Sequence, residues 1–439
     1  MQVSAEGDLT LVRESGGAHS SLKPHKVFFG WWLVAACVLI ALYMAAAVFY
    51  GFTAFIEPMA AELGWSYTKI SLGASLRGLE GGLLAPLFGI LIDRWGPRRL
   101  IFFGGIIISL GLLLLSRTTT LVMFYTAFSV IAVGVGCCSM TALMTAVANW
   151  FQRRIGLASG IASCGFGLSG LLIPSIVRLI DTYEWRTAMA TLAIGAFVLI
   201  VPLSLLFRHK PEQYGYLPDG DDPGAARANT GHIDQAVLPS IEESIDVRQA
   251  LKSRVFRHIA LAFVCFHLMV GAVTIHVMPY LGSIGMTRST ASMIAMAIPL
   301  GSVVGRIGMG WIADRVDRRK VLAIAFTMIC LGLVCFEYAA TVDTRLLIPF
   351  LVFFCVGYGG NNALRAPLLL GMFGRRNFGS IFGFLMGSSV VGSILGPPMA
   401  GWVFDNYGSY QNVWLVFAGF AIVAVFLVRT MPEAVETGK

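Results

Sequence analysis

The residue with the clearest chemical meaning in this sequence is Arg306, a single charge inside a long apolar stretch. The stretch covers residues 291–313 and reads ASMIAMAIPLGSVVGRIGMGWIA. It is long enough to cross a bilayer as a helix, which takes about 20 residues. A lone arginine at that depth costs at least ~2.5 kcal/mol by insertion scales, so its side chain must face protein or a water-filled cavity. Arg306 therefore predicts either recognition of an anion or a structural cation that ties two helices together.

A guanidinium suits anion recognition because it pairs with a carboxylate through two parallel hydrogen bonds and stays protonated at any working pH. A second deep arginine, Arg365, lies in the segment GYGGNNALRAP at 357–367. Glycines and Pro367 loosen that helix, so the amides of Asn361 and Asn362 or freed carbonyls become available to polar groups. Arg365 either faces a cavity, where a dianion or larger acid would suit two arginines, or braces its helix at the proline.

The remaining deep ionisable residues decide the charge balance of the interior. Arg77 and Glu80 are three positions apart on one helix face and are expected to pair with each other. The surplus that is left is positive, which favours an anionic substrate. His276 is a candidate for taking up a proton near neutral pH, and the alternative is a packed, hydrogen-bonded histidine. For His267 we expect the packed role.

Composition bounds the class of protein. Of 439 residues, 56% are hydrophobic and only 13% are charged, and the mean hydropathy is +0.76, which predicts a polytopic membrane protein. The eight cysteines fall in apolar runs, so neither disulfides nor a metal site is indicated. The net charge of +8 sits largely in short loops beside spans and does not indicate nucleic-acid binding. We find no metal-spaced ligands, nucleophile elbow or P-loop, so the sequence indicates neither an enzyme nor an ATP-driven pump, and no cofactor.

The apolar segments predict an all-α membrane protein with twelve transmembrane helices. We expect a disordered cytoplasmic tail at 1–27, a six-helix bundle at 28–207, a cytoplasmic linker with an amphipathic surface helix at 208–256, a second bundle at 257–431, and a tail at 432–439. Basic residues concentrate in the loops on one side of the membrane. Because basic loops stay in the cytoplasm, both termini are predicted to be cytoplasmic.

An internal repeat predicts that the two bundles are parallel copies. Pro58 matches Pro279 and Asp93 matches Asp314, both at an offset of 221 positions (279 − 58 and 314 − 93). At the same offset Arg306 corresponds to Ala85. A packing requirement would be expected in both copies, so a charge in one copy only favours a role in substrate recognition.

One loop of this repeat carries a family resemblance. Residues 89–99, GILIDRWGPRR, resemble the signature loop of the major facilitator superfamily, and 310–319 resemble its second copy. The resemblance implies the superfamily's fold, with substrate bound between the halves. It also implies that Asp93, Arg94, Asp314 and Arg315 hold a cytoplasmic gate rather than bind substrate.

Within that superfamily the chain resembles the bacterial monocarboxylate and oxalate/formate transporter branch. The segments that carry this resemblance are GWW at 30–32, NWF at 149–151 and PEQYGYLPDG at 211–220. The resemblance maps the branch's site residues onto Tyr125, His276, Arg306 and Tyr358. Oxalate exchangers carry a lysine in span 11, and residues 378–403 contain no lysine or arginine, which argues against oxalate.

Together these features predict a secondary active transporter in the bacterial inner membrane that works by alternating access. The substrate is a small monocarboxylate of the lactate or pyruvate type, coupled to a proton and bound by Arg306 with Tyr125, Tyr358, Asn361, Asn362 and Arg365. The alternative is a larger anionic or dicarboxylate metabolite on the same fold, taken up or exported. Expected partners are the small organic anion, the proton and membrane lipid, with the protein as a monomer.

Overall fold

The computed structural model describes residues 28–65, 67–208, 219, 246–407, 409–410 and 412–432. The expected tail at 1–27, most of the linker and nearly all of the second tail lie outside these residues. In the described ranges the chain is helical throughout and contains no strand.

The described ranges contain fifteen α-helices. Their bounds are α1 Phe29–Met44, α2 Ile56–Leu63, α3 Tyr67–Trp95, α4 Pro97–Ser116, α5 Leu121–Cys137, α6 Met140–Trp150, α7 Ile155–Leu168, α8 Ile173–Ser204, α9 Val247–Lys252, α10 Arg254–Ser283, α11 Arg288–Ala313, α12 Arg318–Tyr338, α13 Leu347–Phe373, α14 Phe378–Tyr407 and α15 Val413–Arg429. A π-helical stretch, Ala45–Tyr50, and a 3₁₀ stretch, Gly51–Phe55, join α1 to α2. A further 3₁₀ turn, Ser169–Leu172, joins α7 to α8.

Nine segments of the described chain are long and apolar enough to cross a membrane. The one at Ile155–Ser204 has 50 residues, far more than the ~20 that one crossing needs. It bends inside α8 at Glu184, whose φ of 64° and ψ of 156° are not helical. α3 and the shorter apolar helix α15 stand outside the nine.

The helices pack in two groups with matching pairs. In the first group α1 packs on α7, α3 on α5, and α4 on both α5 and α8. In the second group α10 packs on α14, α11 on α13, and α12 on both α13 and α15. The groups meet mainly where α3 contacts α14 and where α7 contacts α11.

The apolar segment Leu121–Trp150 is interrupted in the structure. α5 ends at Cys137 and α6 begins at Met140, with Ser139 in extended backbone at φ −61° and ψ 164°. Gly134 and Gly136 just before the break are weak helix formers, and serine is a preferred residue at a helix start. A side chain at Gly136 is also excluded by packing, because a Cβ there would lie 1.9 Å from the ring of Phe88.

At the end of the bundle that carries Asp93 and Asp314, here named the gate end, the two groups touch backbone to backbone. A Cβ built on Gly156 would lie 2.2 Å from the carbonyl oxygen of Gly310, and one built on Gly89 would lie 2.4 Å from that of Gly379. Small residues are what allow transmembrane helices to approach this closely. The gate end is therefore closed.

Candidate functional site

Arg306 lies where the two helix groups meet. Its side chain is only 3% exposed. Nη1 donates to the main-chain carbonyl of Ser163 in α7 at 3.0 Å, and Nε donates to the hydroxyl of Ser302 one turn earlier in α11 at 3.3 Å. The guanidinium thus reaches from the second group to a backbone atom of the first.

The contacts of Arg306 leave most of its hydrogen-bonding capacity unused. A guanidinium has five N–H donors, and two atoms of this one donate to protein oxygens. Among the residues that the structure describes, no carboxylate forms an ion pair with it. The ring of Tyr358 lies 5.6 Å from its central carbon, which gives the cation an aromatic neighbour instead.

Tyr358 belongs to an aromatic stack between the two deep arginines. Its ring stacks on Phe266 with centroids 6.0 Å apart. The central carbon of Arg365 lies 5.1 Å from the ring centroids of both Phe263 and Phe266. Arg306 and Arg365 therefore flank one aromatic cluster.

Arg365 is buried, with 6% exposure, and contacts no protein oxygen in the described part of the chain. Nη1 lies 3.6 Å from the sulfur of Met386, a weak acceptor, and the buried Nε has no hydrogen-bond partner. Among the described residues, no hydrogen bond joins the Arg365 side chain to its own helix near Pro367. The carbonyl of Ala363, which the missing N–H of Pro367 frees, accepts instead from the hydroxyl of Ser159 in α7 at 2.8 Å.

Asn361 and Asn362 bond within their own helix. The Nδ2 of Asn361 donates to the carbonyl of Gly357 at 2.9 Å, and that of Asn362 to the carbonyl of Tyr358 at 2.8 Å. The buried Oδ1 of Asn361 has no partner. Tyr125 lies elsewhere, because its hydroxyl donates to the carbonyl of Lys69 at 3.0 Å and so ties α5 to the first turn of α3.

The two histidines of α10 differ in their contacts. Nε2 of His276 lies 2.9 Å from the carbonyl of Pro397 and therefore carries the proton, while Nδ1 faces the hydroxyl of Tyr410 at 2.9 Å. This geometry fits the packed alternative for His276. Nδ1 of His267 donates to the carbonyl of Phe263 at 2.9 Å, which leaves Nε2 as the ring nitrogen without a bond inside the helix.

A cavity of about 370 Å³ lies between the two groups. Its lining is largely apolar, and its polar members are contributed by both groups. The lining includes Met44, Ser139, Phe166, His267, Met386 and Val390. Neither Arg306 nor Arg365 belongs to this lining, and Tyr358, Asn361, Asn362 and Tyr125 are also outside it. Nη1 of Arg365 lies 3.6 Å from the sulfur of the lining residue Met386.

Sequence reasoning missed the wall of this cavity that the break between α5 and α6 forms. Cys138, Ser139, Met140 and Thr141 all line it. The available signal was the cluster of Gly134, Gly136 and Ser139 inside an apolar span, a composition that interrupts helices.

The gate residues fall into two kinds. Asp93 accepts hydrogen bonds from the main-chain N–H groups of Gly379 and Ser380 at the start of α14, and Asp314 accepts from those of Gly156 and Leu157 at the start of α7. Each aspartate therefore caps a helix of the opposite group, where a negative charge complements the helix dipole. Arg94 is exposed, and Arg315 lies 3.6 Å over the ring of Trp311 in its own group.

Burial raises the pKa of Asp314 above the ordinary value for aspartate. The N–H groups of Leu157 and Gly156 and the charge of Arg318 act in the opposite direction, and the nearby Asp219 adds to the rise. Asp219, in the linker, accepts from the N–H groups of Gln152 and Arg153 at 3.1 and 2.8 Å. Asp219 and Asp314 therefore bind neighbouring N–H groups where the chain passes from α6 to α7.

The side chains of Arg77 and Glu80, which were expected to pair, lie outside the described part of the molecule. No group of three or more histidine, cysteine, aspartate or glutamate side chains that could hold a metal is found among the side chains that are described.

The sequence matches the model of the Major Facilitator Superfamily over residues 32–298 and again over 259–439. Similar curated proteins include monocarboxylate transporter 12 of Xenopus laevis, 25% identical over 90% of this chain and 86% of that protein. Monocarboxylate transporter 13 of Bos taurus is 24% identical over 92% of this chain and 90% of its own length. Monocarboxylate transporter 11 of Mus musculus is 25% identical over 80% and 76%.

Solved structures of low sequence identity share the fold. The transporter FucP in its outward conformation superposes with a TM-score of 0.68 at 17% identity, covering 93% of this chain and 99% of that one. The human organic anion transporter MFSD10 gives a TM-score of 0.65 at 12% identity, covering 91% and 98%.

Proposed function

Because the chain belongs to the Major Facilitator Superfamily and is therefore a multi-pass membrane transporter, we propose that it is a secondary active transporter of a small monocarboxylate. The substrate would be of the lactate or pyruvate type, moved by alternating access and coupled to a proton. The names of its relatives, monocarboxylate transporters 11, 12 and 13, support the substrate class.

The observation that carries the proposal is the state of Arg306. It is a buried cation at the contact between the two helix groups, with no acidic partner among the described side chains and with unused N–H donors. A substrate carboxylate would take over from the Ser163 carbonyl as the acceptor, because a charged acceptor forms the stronger bond. Substrate binding would then break the hydrogen bond between Arg306 of α11 and the Ser163 carbonyl of α7. Binding would in this way be coupled to the movement of the two helix groups.

In this proposal the rest of the predicted site surrounds that carboxylate. Tyr358 presents its ring to Arg306, and the unbonded Oδ1 of Asn361 on the same helix offers an acceptor. Arg365 adds positive charge across the aromatic cluster. Tyr125 would have to approach from a distance in another conformation, since here it bonds to Lys69.

The proposal also includes twelve crossings arranged as two parallel repeats. Counting the two limbs of α8 on either side of Glu184 separately, and adding α3 and α15 to the apolar segments, gives twelve. The matching helix pairs of the two groups support the repeat. With the basic loops in the cytoplasm, the closed gate end, both termini and the linker would face the cytoplasm of a bacterial cell with the protein in its inner membrane. We propose the monomer as the working unit.

For the coupled proton we propose His276 of α10. Its bond to Tyr410 is the contact that protonation of Nδ1 would reverse, since the hydroxyl would then have to accept. The gate aspartates, Asp93 and Asp314 with Arg94 and Arg315 beside them, would alternate between the closed arrangement seen here and an open one.

A larger anionic metabolite is the second candidate, and the cavity favours it. A volume of about 370 Å³ lies within the range of sites for drug-sized ligands and exceeds the needs of a three-carbon acid. The second arginine would suit a dicarboxylate as well.

Counterflow into proteoliposomes tests the proposal. Vesicles loaded with unlabelled pyruvate, lactate, succinate or phenylpyruvate would be given the labelled counterpart, with and without an imposed pH gradient. We expect counterflow of at least one monocarboxylate and stimulation of its net uptake by an acidic exterior. Absence of counterflow by every carboxylate from correctly folded protein would reject the proposed substrate class.

A further inference from the structure

The connection between α6 and α7 binds two carboxylates that come from different parts of the chain. One oxygen of Asp219, in the linker, accepts from the main-chain N–H groups of Gln152 and Arg153 at 3.1 and 2.8 Å. Its other oxygen accepts from the N–H group of Arg154 at 3.3 Å. Asp314 accepts from the next two N–H groups of the first turn of α7, at 2.6 and 2.8 Å. Two negative charges therefore share the start of one helix.

The two carboxylates belong to different helix groups. Asp314 directly follows α11 of the second group, whereas the linker that carries Asp219 follows α8 of the first group. The beginning of the linker is held to the first group, because the indole N–H of Trp150 donates to the carbonyl of Arg208 at 3.1 Å. The guanidinium of Arg208 also lies 4.2 Å from the ring centroid of Phe29 in α1. An opening of the gate end separates Asp314 from α7 but does not require Asp219 to leave.

The charge at the start of α7 differs between these two situations. The start of a helix carries about half a positive charge, which a single carboxylate already exceeds. With the gate end closed, a second carboxylate is therefore repelled by the first. Burial contributes most to the raised pKa of Asp314, the charge of Asp219 adds to the rise, and the charge of Arg318 acts in the opposite direction. With the gate end open, Asp219 alone faces the helix start and the repulsion is gone.

We propose that Asp219 is a further gate residue, which opposes closure of the gate end by repelling Asp314 and retains a carboxylate at the start of α7 when Asp314 leaves. The linker in this way adjusts the balance between the closed and the open gate end. The inference rests on the proposed alternating access, and it requires no particular substrate.

Distances between spin labels across the gate end test this role in the full-length protein. Labels at Arg99→Cys and Lys320→Cys, two exposed positions of opposite groups, report the ratio of closed to open protein in a variant without native cysteines. Asp219→Asn keeps a side-chain oxygen that accepts hydrogen bonds at a helix start and removes the charge. At pH 7.5 it should raise the ratio about two- to five-fold, as expected for two charges near a protein surface.

Asp246→Asn is the matched control. Asp246 is an exposed aspartate near the end of the same linker, and its side chain makes no capping hydrogen bond at the start of α9. The substitution removes the same charge without touching the connection between α6 and α7, so the ratio of closed to open protein should stay at the wild-type value. Thermal unfolding of each variant establishes that it is folded.

Two further measurements separate repulsion from a purely structural capping role. Asp219→Asn should have little effect when it is combined with Asp314→Asn, because residue 314 then has no charge to repel. Its effect should also shrink at pH 4.5, since the raised pKa of Asp314 makes protonation of this carboxyl easier. A structural cap would act alike in both backgrounds and at both pH values.

The possible results decide the proposal as follows. An unchanged or smaller ratio of closed to open protein in folded Asp219→Asn would overturn it, and so would an equal rise in Asp246→Asn or an undiminished rise in the Asp314→Asn background. A wild type that shows one and the same distance at both pH values, with and without carboxylates, would contradict the alternation of the gate end itself. Carboxylate counterflow remains the separate test of the substrate class.

Discussion

Arg306 and Arg365 lie beside one aromatic pair, Tyr358 and Phe266, and neither has a carboxylate partner in the described part of the chain. Burying a cation without an anion costs free energy, so such a residue in a membrane span usually has a function. Their aromatic neighbours recover part of that cost through cation–π attraction. We therefore propose that these two arginines receive the negative charge of a substrate.

The sequence was sufficient to identify both arginines as deep charges, because charge in an apolar span is visible in one dimension. It was not sufficient to separate their surroundings. Arg306 turns towards α7, a contact between residues 143 positions apart, and no local pattern encodes it. For the same reason Tyr125 could be chosen by resemblance and still lie against Lys69.

His276 provides a prediction about the proton. We expect His276→Gln to retain substrate counterflow, which needs no net proton movement, and to lose accumulation driven by a pH gradient. His267→Gln is the comparison, because the Nδ1 of His267 bonds only within its own helix. Both measurements use proteoliposomes with an acidic exterior. If His267→Gln loses accumulation and His276→Gln does not, then the proton is carried by His267, which lines the cavity, and not by His276.

At the scale of elements, proline and serine together join the two helix groups. Pro367 has no N–H, so the carbonyl of Ala363 loses its partner within α13, and Ser159 of α7 donates to it at 2.8 Å. The proline was visible in the sequence as a helix breaker. The hydrogen bond that it makes possible between the two helix groups was not visible, because the donor, Ser159, lies 204 positions from Ala363.

Ser159→Ala should therefore weaken the closed gate end. Removing the hydroxyl leaves a buried carbonyl without a donor, which costs about 1–3 kcal/mol. Ser163→Ala is the matched control, because the Ser163 hydroxyl donates to Gly160 in its own helix and its main-chain carbonyl is retained. Thermal unfolding in detergent should show a lower midpoint for Ser159→Ala than for Ser163→Ala. Equal midpoints would mean that the bond to Ala363 contributes nothing.

At the scale of the whole molecule, the closed gate end depends on two carboxylates that each cap a helix of the opposite group. The repeat at an offset of 221 placed Asp93 and Asp314 at corresponding positions, and the structure has them making corresponding contacts. Most of their partners are main-chain N–H groups, which carry no residue identity, and Asp93 also accepts from the hydroxyl of Ser380. The sequence could therefore indicate the two aspartates but not what they bind.

Acidification should increase the population of the conformation in which the gate end is closed, relative to one in which it is open. In the closed state burial raises the pKa of Asp314, whereas in an open state water would return it towards the ordinary value of about 3.9. The state with the higher pKa binds the proton more tightly, so its relative stability increases as pH falls and is lost as pH rises through the raised pKa.

Distances between spin labels at Arg99→Cys and Lys320→Cys, both exposed at the gate end, would report the closed population in a variant without native cysteines. We expect that population to be larger at pH 4.5 than at pH 7.5 and the difference to shrink in Asp314→Asn. A smaller closed population at low pH, or an unaltered response in Asp314→Asn, would contradict the role given to Asp314.

The central claim is that Arg306 binds the carboxylate of the substrate, and carboxylate counterflow by Arg306 variants tests it most directly. Arg306→Lys keeps the charge and loses the paired donors, Arg306→Gln loses both, and Arg117→Lys makes the conservative change at an exposed arginine at the end of α4. We expect counterflow to fall at least a hundred-fold in Arg306→Gln and at least ten-fold in folded Arg306→Lys, and to stay near the wild-type rate in Arg117→Lys. Near-normal counterflow by Arg306→Lys would contradict the paired binding of the carboxylate, and near-normal counterflow by Arg306→Gln would contradict the claim altogether.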